Sequence, residues 1–311
     1  MKKIAFVFPG QGSQYVGMGL KLYEQFDVVK EIYKRASACL GYDTQQLSFY
    51  GPKEELDKTY HTQPLLLTAS VAVYELLTLN NIVPRIVAGH SLGEYTALYA
   101  AGVFSFEDVL LLTQKRAQLM QEAVPAGKGL MAAILGLDRE AVDRVCLSVS
   151  SGYVSAANYN CPKQVVIAGE KPAVEEAMRL AKQEGAKKTI PLAVSVPSHC
   201  SLMIEASEKL AKYLDTISIK KPIIPVVNNA DAMVLSTEES VKSSLVRQLN
   251  SPLLWEDSVR IMVNSDIDVF IEVAPGKTLS GLIKKIDGGV AIYNVEEPQS
   301  LENTLKALKG E

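Results

Sequence analysis

The amino-acid sequence predicts an α/β fold built around a parallel sheet. Short apolar runs of strand type recur along the chain and alternate with helix-length amphipathic segments. Strands that are apolar throughout are typical of parallel sheets covered by helices on both faces. The predicted strands lie at 4–8, 86–88, 225–227, 269–273 and 291–293, and the clearest helices at 63–79, 93–101, 106–123, 201–213, 240–249 and 278–286.

The middle of the chain interrupts this alternation after Pro125. From there the pattern predicts a strand, a helix, two strands, a helix and a strand, at 129–135, 138–149, 154–158, 164–168, 172–184 and 187–192. This order is the split βαβ, or ferredoxin-like, motif. We therefore expect a ferredoxin-like subdomain over 127–196, inserted into a core formed by 1–126 and 197–311.

Composition and charge exclude several classes of protein. A length of 311 residues allows about two domains, each able to bury its own core. The net charge of −3 provides no overall field that would attract nucleic acid. Cys39, Cys146, Cys161 and Cys200 form no C-x-x-C pair and have no histidine at zinc-ligand spacing. We expect reduced thiols, no metal, and a cytoplasmic protein.

No segment predicts a membrane anchor or a secretion signal. The apolar run at 4–8 is too short for the core of a signal peptide. The most apolar later stretch, 64–79, is shorter than a membrane span and contains Tyr74 and Glu75. We expect it to be a buried helix.

A possible nucleophile elbow follows the strand at 86–88. The motif Gly89-His90-Ser91-Leu92-Gly93 is a G-x-S-x-G that leads directly into the helix at 93–101. In an α/β-hydrolase-like core, this turn lifts the serine hydroxyl above the sheet, where backbone N–H groups can stabilise a developing oxyanion. An ordinary turn is the alternative, but the flanking strand and helix favour Ser91 as a nucleophile.

A serine nucleophile needs a base, and the chain has three histidines. His90 adjoins Ser91, so we expect its side chain to point away and to pack beneath the elbow. His61 lies in a polar segment that reads as a loop. His199 follows the point where the inserted subdomain rejoins the core, and such points line clefts. We predict His199 as the base, while no acidic residue stands out as a third triad member.

Two further segments leave alternatives open. The Gly10-Gln11-Gly12 turn fits a dinucleotide-binding loop poorly, since the next glycine, Gly17, is five positions on instead of three. Such a turn can instead bring a backbone N–H close to a reacting carbonyl. On spacing alone, Arg116 next to Lys115 slightly favours a solvated helix face, although a planar cation near Ser91 would suit a substrate carboxylate.

Taken together, these motifs resemble the malonyl-CoA:acyl carrier protein transacylases of bacterial fatty acid synthesis, stand-alone type. The resemblance covers almost the whole length. It rests on segments 8–14, 89–95, 114–116, 158–160, 164–169, 196–199, 248–249 with Trp255, and 272–277.

The resemblance implies a role for each matched position. Ser91 would be the acylated nucleophile and His199 its base, oriented by a backbone carbonyl at Gln248 in place of a triad acid. Backbone N–H groups at Gln11 and Leu92 would form the oxyanion hole. The remaining matches are substrate contacts: Arg116 holds the malonyl carboxylate, Gln63 lies near it in the pocket, and Asn158 and Asn160 lie near the coenzyme A entrance.

Two positions depart from patterns within the wider family. Large multidomain synthases often carry a phenylalanine before the histidine, at the position of Ser198. The stand-alone bacterial enzymes resemble this chain at that position. Ala274 stands where the family usually has glycine, before Pro275. Ser198 therefore supports a preference for malonyl groups, but it gives weaker support for rejection of methylmalonyl groups.

The implied activity is malonyl transfer from coenzyme A to the phosphopantetheine thiol of acyl carrier protein, through a Ser91 ester and a ping-pong route. Thioester is exchanged for thioester, so we expect no cofactor. The partners would be malonyl-CoA and acyl carrier protein, with no nucleic acid or membrane, and the chain a monomer. A related acyltransferase serving a polyketide carrier, a serine esterase and a non-catalytic carrier-docking scaffold are the alternatives.

Overall fold

Strands and helices alternate along most of the computed structural model, which describes residues 2–125, 127–192 and 196–310. The strands in these ranges are β1 (Ile4–Phe8), β2 (Ile86–Gly89), β3 (Gly129–Leu135), β4 (Val154–Cys161), β5 (Gln164–Glu170), β6 (Lys188–Pro191), β7 (Val226–Val227), β8 (Val234–Leu235), β9 (Val269–Val273) and β10 (Ala291–Val295). The helices in these ranges are α1 (Leu20–Gln25), α2 (Asp27–Leu40), α3 (Thr44–Tyr50), α4 (Lys53–Leu56), α5 (Thr59–Leu79), α6 (Gly93–Ala100), α7 (Phe106–Ala123), α8 (Arg139–Leu147), α9 (Lys171–Gln183), α10 (Ile204–Leu214), α11 (Glu238–Asn250), α12 (Trp255–Asn264), α13 (Thr278–Ile286) and α14 (Pro298–Lys309).

The larger sheet has the strand order β10-β9-β1-β2-β7-β8. Strands β10, β9, β1, β2 and β7 are parallel to their neighbours. Strand β8 pairs antiparallel to β7 at one edge of the sheet. The predicted parallel α/β sheet is therefore confirmed, with an antiparallel edge strand that the sequence did not indicate. The carboxyl ends of β1 and β2 lie side by side, which brings the glycine turn after β1 next to the elbow after β2.

Both faces of this sheet are covered. Along β1, Phe6 and Phe8 join a large apolar cluster with residues of α2, α5 and α7. Ala5 and Val7, which point to the opposite face, pack with Trp255 and other residues of α12 and α13. The alternation along one buried strand explains why its sequence is apolar throughout.

The smaller sheet is antiparallel, with the order β4-β5-β3-β6, and its elements follow the chain order β3-α8-β4-β5-α9-β6. One face packs on α8 and α9. The other face presents Met131, Ala133 and Val166 toward the elbow region, where they join Cys200 from the larger unit. Backbone hydrogen bonds also tie β4 to the segment before α12, through Leu253 with Ala157 and Tyr159.

The structure corrects several sequence predictions. Helices α1 to α4, α12 and α14 were not among the predicted helices. Helices α1, α3 and α4 are too short to show a clear apolar period, whereas α2, α12 and α14 are amphipathic and were simply missed. Helix α5 begins at Thr59, so His61 is helical and does not lie in a loop. Its imidazole Nδ1 is 2.9 Å from the Glu55 carbonyl.

Helix α5 is long and apolar enough to cross a membrane by length and composition, yet 78% of its most apolar window is buried inside the protein. Its buried residues run without a gap from Thr62 to Val73 and include the polar Gln63, so the helix is buried on all sides. This agrees with the predicted buried helix.

Close packing around the elbow generates a prediction about stability. A Cβ added at Gly93 would lie 2.0 Å from the Phe8 carbonyl oxygen, whereas one at Gly281, on the exposed side of α13, would meet nothing within 4 Å. We expect Gly93→Ala to lower the free energy of unfolding by about 3 kcal/mol through overpacking. Gly281→Ala should raise it by about 0.5–1 kcal/mol, because alanine favours a helix interior.

Urea unfolding midpoints of the two variants would check this pair. Equal midpoints for both variants would contradict the claim that the elbow depends on contact between α6 and β1.

Candidate active site

Ser91 occupies the turn between β2 and α6. Its backbone has φ of 54°, a left-handed conformation that is rare for residues with a side chain. The flanking glycines are required by contact: a Cβ on Gly89 would lie 1.8 Å from the carbonyl carbon of Gly93. The small residues of the motif thus allow the sharp turn that exposes the Ser91 hydroxyl to a cavity.

His199 lies against this hydroxyl. Its Nε2 is 2.8 Å from Ser91 Oγ, and its Nδ1 is 2.7 Å from the Gln248 backbone oxygen. A carbonyl oxygen can only accept, so Nδ1 carries the proton and Nε2 presents a lone pair to Ser91. His199 also has a left-handed backbone, φ 61°, and its N–H donates to the Leu249 carbonyl.

The surroundings of His199 keep its imidazole neutral. Burial, followed by the positive charge of Arg116, lowers the pKa of His199 to about 3. The ordinary value is 6.5. The ring is therefore in its basic form at neutral pH, as proton removal from Ser91 requires.

Arg116 is buried at 1% exposure, so the solvated helix face favoured by its spacing is wrong. Its Nη1 donates to Gln63 Oε1 at 2.7 Å. Its Nη2 donates to Gln248 Oε1 at 3.0 Å and to Ser91 Oγ at 3.1 Å. The Nε–H has no acceptor among the described residues. The positive charge of Arg116 thus lies beside Ser91, and its Nε–H can donate another hydrogen bond.

Gln248 connects the charged and reacting groups. Its backbone oxygen binds His199, and its side-chain oxygen accepts from Arg116. Its Nε2 donates to the Ser91 carbonyl at 3.0 Å and to Glu94 Oε2 at 2.9 Å. The position expected to supply a backbone carbonyl therefore also contributes its side chain.

Glu94 and Asn229 are two site residues that sequence reasoning missed. Glu94 is fully buried in the first turn of α6, and burial raises the pKa of its carboxyl. It accepts hydrogen bonds from Gln248, from Ser244 and from the Asn229 backbone. Asn229 follows the carboxyl end of β7, and polar residues at such strand ends are a general signal of sites in parallel sheets.

Gln11 and Leu92 border the same cavity as Ser91. Leu92 precedes α6, where the first N–H groups of a helix lack intrahelical acceptors. Among the described residues, the backbone hydrogen bonds outside helices and strands include none from the Leu92 or Gln11 N–H. The Gln11 side chain donates to Thr59 Oγ1 at 3.2 Å. Both residues thus border the cavity with a backbone N–H for which the described backbone hydrogen bonds show no acceptor.

The His90 ring bonds to Asn160 and not to Ser91, as expected, but it lines the Ser91 cavity and is not confined beneath the elbow. Its Nε2 is 2.9 Å from Asn160 Oδ1, and its ring packs edge-on against Trp255. Asn158 is only 8% exposed, and its Oδ1 has no hydrogen-bond partner among the described residues. His90 and Asn158 lie at the border between the Ser91 cavity and a second cavity, which also contains Asn160.

The second cavity is adjacent to the first and has a volume of about 670 Å³ including open solvent. Its walls come from the glycine turn after β1, the inner face of the smaller sheet and α13. The lining residues are Gly10, Gln11, Gly12, Ser13, His90, Ala133, Asn158, Asn160, Gln164, Val166, Leu192, Thr278, Leu279 and Leu282. It extends the Ser91 site along the junction of the two sheets.

The described ranges contain no group of three or more His, Cys, Asp or Glu side chains that could hold a metal ion. Cys39, Cys146, Cys161 and Cys200 are free thiols. Burial raises the pKa of each of these thiols, which makes them poor nucleophiles.

Comparisons with known proteins identify the family of the chain. The family model for the acyl transferase domain matches residues 5–288. The malonyl CoA-acyl carrier protein transacylase of Haemophilus influenzae is 50% identical over 303 residues, covering 96% of this chain and 97% of its own. That of Bacillus subtilis is 46% identical over 313 residues, covering 100% and 99%.

A solved structure of a malonyl-transacylase in complex with a type II PKS acyl-carrier protein has a TM-score of 0.96 and 46% identity. The match covers 98% of this chain and 99% of that one. The chain therefore belongs to the acyl transferase domain family, among the malonyl CoA-acyl carrier protein transacylases.

Proposed function

We propose that this chain transfers the malonyl group from malonyl-CoA to the phosphopantetheine thiol of acyl carrier protein, for fatty acid synthesis. The observation that carries the proposal is the buried Arg116 guanidinium, which donates to Ser91 Oγ while His199 binds the same hydroxyl. A cation at this distance from the nucleophile suits an acyl group with a terminal carboxylate. The names of the relatives, which are malonyl transacylases, support the same substrate.

The chemistry runs in two balanced halves. His199 Nε2 takes the proton of Ser91, whose oxygen attacks the thioester carbonyl, and the Leu92 and Gln11 N–H groups stabilise the oxyanion. The carbon–sulfur bond breaks, and the coenzyme A thiol leaves with the proton from His199. The carrier thiol then attacks the Ser91 ester by the reverse steps, so the sequence needs no metal or redox cofactor.

The second cavity is the proposed path of the pantetheine arm. It adjoins the Ser91 cavity and presents Asn158 and Asn160 along its wall. The unpaired Asn158 Oδ1 can accept from an amide N–H of the arm. Gln63, bonded to Arg116, would limit the acyl end of the site.

The domain organisation belongs to the same proposal. We assign 127–196 as a ferredoxin-like subdomain and 1–126 with 197–311 as an α/β-hydrolase-like core. The strand order β4-β5-β3-β6 supports the first assignment, and the elbow after β2 supports the second. Residues 126 and 193–195, at the boundaries, lie outside the described ranges. Monomeric state and cytoplasmic location stay predictions from the sequence.

A polyketide carrier is a second candidate for the acceptor. It is favoured by one observation, the solved complex of a similar transacylase with a type II PKS acyl-carrier protein. The transfer chemistry would be the same. Rates with carriers from the two pathways would distinguish them.

The nucleophile can be tested by mass. Malonyl-CoA should add one malonyl group to the intact protein, mapped to Ser91, and Ser91→Ala should abolish the addition. Ser198→Ala, which removes another hydroxyl lining the cavity, should keep the label. Label retained by Ser91→Ala would overturn the assignment of the nucleophile.

Two other outcomes would point to the alternative functions. Release of free malonate without carrier product would indicate an esterase, and a wild-type protein that takes up no label would favour the carrier-docking scaffold.

Substrate choice can be tested at Arg116. A charge-assisted pair contributes on the order of 1.5–3 kcal/mol, so Arg116→Ala should lower kcat/KM for malonyl-CoA about 10–150-fold. Acetyl-CoA transfer should be unchanged or improved, because acetyl cannot pair with the buried cation. Arg116→Lys should rescue poorly, since an ammonium lacks the planar fork.

Lys115→Ala is the matched control, because this neighbouring cation binds exposed Gln118 and not the site. Parallel losses for malonyl and acetyl in Arg116→Ala would mean that the carboxylate is recognised elsewhere.

The depressed pKa of His199 predicts the pH profile. The native ring stays neutral while an ordinary histidine would protonate, so kcat/KM should stay level from about pH 8 down to about pH 5. Below about pH 6.5, His199 binds a proton in the unfolded chain but stays neutral in the folded protein. The free energy of unfolding should therefore decrease as the pH drops below about 6.5. The profile should be measured with a neutral ester substrate, so that titration of the malonyl carboxylate does not contribute to the pH dependence. An acid limb centred near pH 6.5 would contradict the assignment.

A further inference from the structure

We propose that Asn229 is a positioning residue for the Ser91 nucleophile, an inference that rests on the function proposed above. The Asn229 side chain is fully buried at the carboxyl end of β7. The Ser91 N–H donates to its Oδ1 at 2.7 Å, and its Nδ2 donates to the Gly89 carbonyl at 2.7 Å. One amide therefore brackets the elbow on both sides of His90.

The Asn229 amide is itself held in one orientation. A backbone N–H can only donate and a carbonyl can only accept, so the two contacts exclude the flipped amide. The Asn229 N–H donates to Glu94 Oε2 at 2.9 Å, and its carbonyl accepts from the Leu254 N–H at 2.8 Å. Since Glu94 lies in the first turn of α6, the residue is anchored to the same turn that it fixes.

These contacts act on a strained part of the backbone. Ser91 has a left-handed conformation that the chain would leave without support from its surroundings. The bonds to Gly89 and Ser91 hold the peptide groups on either side, and with them the direction of the Ser91 hydroxyl toward His199. Removal of the amide should misalign that hydroxyl.

Asn229 also determines which backbone N–H groups are available to bind the oxyanion. Because the Ser91 N–H is occupied by Asn229 Oδ1, it does not serve the oxyanion. That task is left to Leu92 and Gln11. The clamp on the acyl carboxylate, Arg116 with Gln63, makes no hydrogen bond to Asn229. A change at Asn229 should therefore lower kcat while KM for malonyl-CoA is kept.

Asn228 offers a matched control one residue earlier. Its side chain is equally buried and donates to Asp231 and Ser244, and it accepts from the Met233 N–H. It makes no hydrogen bond to residues 89–93. A general loss of packing after β7 should appear in Asn228→Ala as well, whereas loss of nucleophile alignment should not.

The experiment compares Asn229→Ala, Asn229→Asp and Asn228→Ala in the full chain, with rates normalised to the folded fraction. Single-turnover acylation by malonyl-CoA is followed by intact mass, and a fluorophosphonate probe reports Ser91 reactivity without malonyl recognition. We expect Asn229→Ala to lose about 10–100-fold in both rates, with KM within about twofold of wild type. Asn229→Asp keeps an acceptor for Ser91 but turns a second oxygen toward the Gly89 carbonyl, so it should lose rate as well.

Wild-type rates in Asn229→Ala, or an equal loss in Asn228→Ala, would overturn the proposal. A wild-type chain that reacts with fluorophosphonate but not with malonyl-CoA would refute the proposed function. The fluorophosphonate rates would still decide the role of Asn229 in that case.

Discussion

A guanidinium buried beside the nucleophile is the constraint around which the site is arranged. An unpaired charge in the interior is strongly unfavourable, so Arg116 requires acceptors and an opposite charge nearby. Gln63 and Gln248 supply amide oxygens, the Tyr95 ring lies 5.2 Å from the cation, and the Glu94 carboxyl is linked to Arg116 by the Gln248 side chain. The same cation helps to lower the pKa of His199, so under the proposed function substrate recognition and base strength share one source.

Both reacting side chains are carried by left-handed backbone, and the fold compensates for each. Ser91 is held by the contact of Gly89 and Gly93 and by the Asn229 amide, whereas His199 is held by the carbonyls of Gln248 and Leu249. These supports come from different elements that meet at the carboxyl ends of the parallel strands. Strain at the site is therefore sustained by the larger sheet, and the smaller sheet contributes one wall of the cavity.

Local sequence predicted the parts of the site that depend on neighbours in the chain. The elbow follows from five consecutive residues, and His199 from elimination among three histidines, because these arguments need no tertiary contacts. Arg116 was misread from spacing because Lys115 beside it is a surface cation, and the burial of one but not the other depends on how α7 packs against α5. Asn229 and Glu94 were missed since their bonds to the elbow and to Gln248 join residues separated by 135 to 154 positions. The resemblance implied the backbone contact of Gln248 with His199, but not the three hydrogen bonds of the Gln248 side chain to Arg116, Ser91 and Glu94.

Under the proposed function, the position of Arg116 links selection of the acyl group to its activation. Arg116 Nη2 donates to Ser91 Oγ, so the cation and His199 contact the same hydroxyl. A malonyl carboxylate on the guanidinium offsets the positive charge that disfavours protonated His199, and this makes the histidine a better acceptor for the Ser91 proton. An acetyl group provides no such compensation, so it meets a weaker base as well as an unpaired arginine. Discrimination between the two acyl groups then arises in the transition state as well as in binding, which is where selection raises the rate for the correct substrate.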